Sequence, residues 1–144
     1  MNRLFLTGLF IFAFVLSFLD MSFAANEEQV IAYYFHTNFR CVSCHKIETY
    51  TEESIKKYFS KQIESNELIY KVVNVEEKGN EHFMRDYQLY TKSVVLSLVK
   101  DDKEIKFKNL DKVWKHLNNK DEFFEYIKEE TQKFLNEMNS EEKQ

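Results

Sequence analysis

The chain has 144 residues, 24 acidic against 20 basic, a formal net charge of −4 and an aromatic content of 16%. That length suits one domain, and the acidic balance (pI about 5.6) gives no basic stripe, which excludes nucleic acid as a partner. With two glycines, two cysteines and no proline, the sequence has no flexible linker, repeat or low-complexity segment.

At the N-terminus, Arg3 precedes an apolar run over 4–19, followed by Asp20-Met21-Ser22-Phe23-Ala24-Ala25. This is the layout of a secretory signal, with small Ser22 and Ala24 placed for cleavage after Ala24. The expected organisation is a signal peptide over 1–24, one domain over 25–138 and a charged, frayed tail over 139–144. An uncleaved anchor is the alternative, although the run is shorter than the ~20 residues of a membrane span. No cysteine follows the run, so a lipoprotein anchor is excluded. The domain is expected outside the membrane, where disulfides are permitted.

Residues 30–35 (Val-Ile-Ala-Tyr-Tyr-Phe) read as a buried strand, and 36–40 as the loop that delivers Cys41. Past Cys44, the apolar positions Ile47, Ile55, Tyr58, Phe59 and Ile63 share a helical face, with a bend expected at Tyr50-Thr51 and Thr51 capping a second segment. A second strand over 68–75 completes a β-α-β unit. Gly79-Asn80 breaks the chain, and Phe83, Met84, Tyr87 and Tyr90 fall at helical spacing. The strongest strand covers 93–100 and turns through Asp101-Asp102-Lys103 into an edge strand over 104–107. With no glycine there, the turn is expected to exceed two residues. A helical turn around Trp114 follows, then a last helix opened by an Asn119/Glu122 capping box and striped by Phe123, Tyr126, Ile127, Phe134 and Met138.

The order β-α-β-α-β-β-α predicts an α/β, thioredoxin-like fold. Its Cys-x-x-Cys falls between the first strand and first helix, at a strand's carboxyl end, where α/β sheets place their sites.

Arg40-Cys41-Val42-Ser43-Cys44-His45 holds both cysteines. At a helix N-terminus the pair can close and reopen a disulfide, Cys41 as exposed nucleophile and Cys44 resolving the mixed disulfide. Such a tiny loop makes a poor structural staple. Arg40 and His45 would lower the thiol pKa if they point at the sulfurs, and His36 and Glu48 are further candidates to modulate the pair. Two other readings share the letters. Cys41, Cys44 and His45 spell a c-type haem attachment, with His82, Met84 or Met138 as a second axial ligand, but a tight β-α-β core leaves little room for a porphyrin. The same three residues would suit copper or zinc in a metal carrier. His82 and His116 sit in charged surroundings and read as solvated.

The motif Tyr34-Phe35-His36-x-x-x-Arg40-Cys41-x-x-Cys44-x-x-Ile47-Glu48, with Asn74, His82-Phe83, Asp86-Tyr87-Gln88-Leu89 and Ser93-Val94-Val95-Leu96, resembles small exported bacterial thioredoxin-like proteins named as the ArsF-type subunit of a nitrophenyl-compound nitroreductase. The resemblance implies a periplasmic thiol-disulfide oxidoreductase, with protein thiols or disulfides as partners and a membrane electron-transfer protein as electron source. The chain has no glycine-rich phosphate loop for flavin or nicotinamide, so any part in nitroreduction would be as an electron relay, with the disulfide as its own redox group. It departs from thioredoxins in two places. Thr91-Lys92-Ser93 stands where they carry a cis-proline, and Phe35 stands where they bury an aspartate six residues before the first cysteine.

Overall fold

A computed structural model describes residues 28–141. The expected signal peptide and the end of the expected tail, 142–144, lie outside the described residues. Four strands, β1 (Glu28–His36), β2 (Leu68–Asn74), β3 (Ser93–Lys100) and β4 (Lys103–Asn109), alternate with five helices: α1 (Val42–Tyr58), α2 (Ser60–Glu64), α3 (His82–Asp86), α4 (Val113–His116) and α5 (Lys120–Glu141). The strands lie in the order β2-β1-β3-β4. β1 runs parallel to β2 and antiparallel to β3, which pairs antiparallel with β4. Among the described residues no helix is long and apolar enough to cross a membrane.

The two faces of the sheet follow from the two-residue period of β1. Val30, Ala32 and Tyr34 point to one side and join Ile47, Ile55, Leu96, Phe123, Ile127 and Phe134 in the main core beneath α1 and α5. Phe35 points to the other side, where it packs with Tyr87, Leu89, Val75 and Val95, and with half-buried Tyr33 and Phe83. Within the main core, Ser54 Oγ donates to the Phe124 carbonyl at 3.1 Å and ties α1 to α5.

Four local expectations are corrected. α1 does not bend at Thr51. Its hydroxyl lies on the buried face and donates back to the Ile47 carbonyl at 2.7 Å, so the residue continues the helix instead of capping a new one. The break comes at Phe59, whose φ/ψ of −129°/29° leave the helical region. The β3–β4 turn has two residues, Asp101 and Asp102, both left-handed at φ 50° and 60°. Aspartate tolerates that conformation, which matches the strand twist, so the tight turn forms without glycine. α3 stops at Asp86, because Gln88 takes φ 51° and reverses the chain, and this turns Tyr90 out of the helical stripe expected of it. At the C-terminus α5 extends through residues 139–141, where the frayed tail was expected to start.

Candidate functional site

Cys41 is the N-cap of α1, extended at φ −94° and ψ 167°, and its Sγ accepts the Cys44 backbone N–H at 3.2 Å. An N-cap position puts a sulfur where the helix's free N–H groups and positive dipole end favour negative charge. Cys41 and Cys44 are joined in a disulfide. The two sulfurs differ in access, since Cys41 is partly exposed while Cys44 is buried at 1% exposure.

The loop feeding Cys41 is pinned from the end of β2. The Asn38 backbone N–H donates to Glu76 Oε2 at 2.7 Å, and Asn74 Nδ2 donates to Asn38 Oδ1 at 2.7 Å. From below, Tyr34 of β1 donates its hydroxyl to the Cys44 carbonyl at 2.7 Å. Burial pushes the Tyr34 phenol up to about 12 against the opposing pull of the Arg40 cation, so it remains a neutral donor.

Arg40 is not a lone cation beside the cysteines. Its guanidinium is ion-paired with Glu48 and lies 5.8 Å over the Tyr34 ring. Arg40 and Glu48, named separately as candidates, therefore form one unit. His36 Nδ1 donates to the Thr37 carbonyl at 2.9 Å, which leaves Nε2 as the ring's free nitrogen. His45 is exposed on α1.

The three residues of the haem and metal readings do not form a donor set: the two sulfurs are bonded to each other, and among the described residues no three His, Cys, Asp or Glu side chains converge on a metal site. The suggested axial ligands are also dispersed. Met138 is buried in the main core, Met84 is half exposed on the far side of the sheet, and His82 Nδ1 is bound to the Gly79 carbonyl at 2.8 Å.

The segment 91–93, where the resemblance places a cis-proline, contains no cis peptide. It is held by other means: Trp114 Nε1 donates to the Lys92 carbonyl at 3.0 Å, and Ser93 Oγ donates to the Thr91 carbonyl at 2.9 Å. Lys92 Nζ reaches 5.5 Å over the Phe39 ring and so joins this segment to the cysteine loop. Large apolar side chains stand out around this end of the molecule, with Phe39, Val42 and Tyr90 exposed at 73%, 86% and 94%. Beside Tyr90 lies a cavity of about 120 Å³ floored by Phe35, Val75 and Leu89 and rimmed by His36 and Lys92. Sequence reading gave the surface residues Phe39, Val42 and Tyr90 no role, because an aromatic or β-branched residue in a strand-rich chain reads first as core. The only available signal was that Phe39 lies two residues before the Cys-x-x-Cys and Val42 lies within it.

The parallel β1–β2 pair, the antiparallel β3–β4 hairpin and a Cys-x-x-Cys disulfide opening the helix after β1 make this a thioredoxin-like fold. No protein-family model matches the chain, and no curated protein matches it in sequence. Among solved structures it is similar to Fasciola hepatica thioredoxin, at 20% identity over 62% of this chain and 79% of that one, with a TM-score of 0.36. It is also similar to thioredoxin-2, a component of the malaria parasite protein secretion machinery, at 18% identity over 64% and 84% with a TM-score of 0.37. For Chlamydomonas reinhardtii thioredoxin f2 the identity is 14% over 71% and 84%, with a TM-score of 0.36.

Proposed function

We propose that the chain is a thiol-disulfide oxidoreductase that exchanges electrons with cysteine pairs of partner proteins. The observation that carries this reading is the asymmetric disulfide at a helix N-terminus, with one sulfur accessible at the N-cap and one buried a turn behind it. In the reducing direction, the Cys41 thiolate attacks one sulfur of a partner disulfide and displaces the other as thiolate. Cys44, deprotonated, then attacks Cys41 Sγ, re-forms the Cys41–Cys44 bond and expels the partner's remaining sulfur. Two electrons pass to the partner, which leaves with two thiols once protonated. The oxidising direction is the same sequence reversed.

The exposed Phe39, Val42 and Tyr90 favour a protein partner, because a polypeptide covers apolar side chains that a small thiol would leave in water. The apolar N-terminal run and the resemblance to ArsF-type subunits support an exported, periplasmic protein. Electrons would come from a membrane electron-transfer protein and be relayed to a reductase system.

Two single variants test the mechanism on a protein disulfide substrate. Cys41→Ser is expected to abolish exchange, whereas Cys44→Ser retains attack and accumulates a mixed disulfide visible on a non-reducing gel. Equal behaviour of the two variants would contradict the assigned roles.

A further inference from the structure

Arg40 is the residue before the attacking cysteine, and a free guanidinium there would favour its thiolate. Glu48 pairs with that guanidinium and offsets its charge. Glu48 lies four residues past Cys44, on the same face of α1, and its pair with Arg40 is three-quarters buried, at 22% and 25% side-chain exposure. Both partners are fixed by further contacts. The guanidinium lies over the buried Tyr34 ring, whose hydroxyl binds the Cys44 carbonyl, and Tyr70 donates its hydroxyl to the Glu48 carbonyl at 3.3 Å. The other titratable groups around this end are His36, His45, Lys46 and Lys92, with the carboxylates Glu52, which acts on Tyr70 as Arg40 does but with opposite sign, and Glu76, which is occupied by the Asn38 N–H.

Resting on the thiol-disulfide reading above, the geometry points to Glu48 as a positioning residue that sets the redox poise of the pair by neutralising Arg40. Reducing the disulfide adds two electrons and, above the Cys41 thiol pKa, one proton, which leaves a Cys41 thiolate and a Cys44 thiol. The disulfide carries no charge and is indifferent to a nearby cation, whereas the thiolate is stabilised by one. Glu48 therefore withholds stabilisation from the reduced state alone, and this keeps the pair a stronger reductant. A neutral residue at position 48 releases the guanidinium and removes a negative charge one turn from Cys44. Both changes favour the reduced, thiolate-bearing state.

The test is a glutathione redox titration of the wild-type chain beside Glu48→Gln, Glu48→Asp and the double variant Arg40→Gln/Glu48→Gln, with Cys41 alkylation followed against pH. Glu48→Gln is expected to shift the exchange constant roughly tenfold toward the reduced form, ~30 mV for a two-electron couple, and to move the alkylation profile to lower pH. Glu48→Asp should stay near wild type, and the double variant should return toward it, which a merely structural role for Glu48 would not produce. A wild-type midpoint that Glu48→Gln leaves unmoved, or a shift that persists in the double variant, overturns this inference and spares the redox reading. A wild-type pair with no reversible midpoint overturns both.

Discussion

Tyr34 links the main core to the redox site. Its ring is fully buried beneath α1 and its hydroxyl is bound to the Cys44 carbonyl, so the first turn of the helix is anchored from the sheet. Burial raises its phenol to about 12, above the ~10 of an unfolded tyrosine. The folded chain thus holds the proton more tightly than the unfolded one. The associated stability is complete below about pH 10 and is lost as pH rises from there toward the folded value. Tyr126 is raised to about 12 in the same way, and burial also raises Tyr33, Tyr70 and Tyr87. The denaturation midpoint is therefore expected to fall on the alkaline side in step with phenolate absorbance. Tyr34→Phe should show a shallower fall and a loss of ~1 kcal/mol at neutral pH from the missing hydrogen bond. An equally steep alkaline fall in that variant would show that Tyr34 is not among the linked groups. At this scale the sequence disclosed Cys41 and Cys44 through their spacing alone. It did not disclose the Arg40–Glu48 pair, which forms only because the N-cap geometry folds the residue before Cys41 back along α1.

At the scale of elements, the segment after α3 determines how Tyr90 is presented. The Leu89 N–H donates to the Met84 carbonyl at 2.8 Å across Gln88, whose φ of 51° is the left-handed cap that glycine usually supplies. A left-handed non-glycine residue costs about 1–2 kcal/mol in local strain, only partly offset in a glycine variant by the extra freedom of the unfolded chain. Gln88→Gly is expected to stabilise the chain by roughly 0.5–1 kcal/mol in urea unfolding, with Tyr90 unmoved. Destabilisation instead would mean that the Gln88 side chain holds the turn. Strands were legible in the sequence because alternation and β-branching mark them directly: 93–100 was read to the residue. Helix ends and turns were less legible. The Asp101-Asp102 turn and the Gln88 cap use residues that tolerate positive φ without advertising it, and Thr51 looks like a cap until its hydroxyl is found to face the core.

For the whole molecule, the two cores divide the work. The larger one fixes α1 and α5 against the sheet and so fixes where Cys41 and Cys44 sit, and the smaller one carries α3 and the segment 88–92 toward the same end. The disulfide therefore stands at an edge with an exposed apolar rim, backed by a rigid sheet. The fold order was legible because a β-α-β unit and a hairpin each have a local sequence signature. The rim was not, because it is assembled from two segments far apart in the chain, 39–42 and the turn at Tyr90. The most direct measurement is the intact mass of the purified protein after thiol alkylation across a glutathione redox series. A reversible dithiol gains two alkyl groups together, only after reduction and at a single midpoint. Cysteines that resist reduction throughout, or that alkylate without it, would contradict the account.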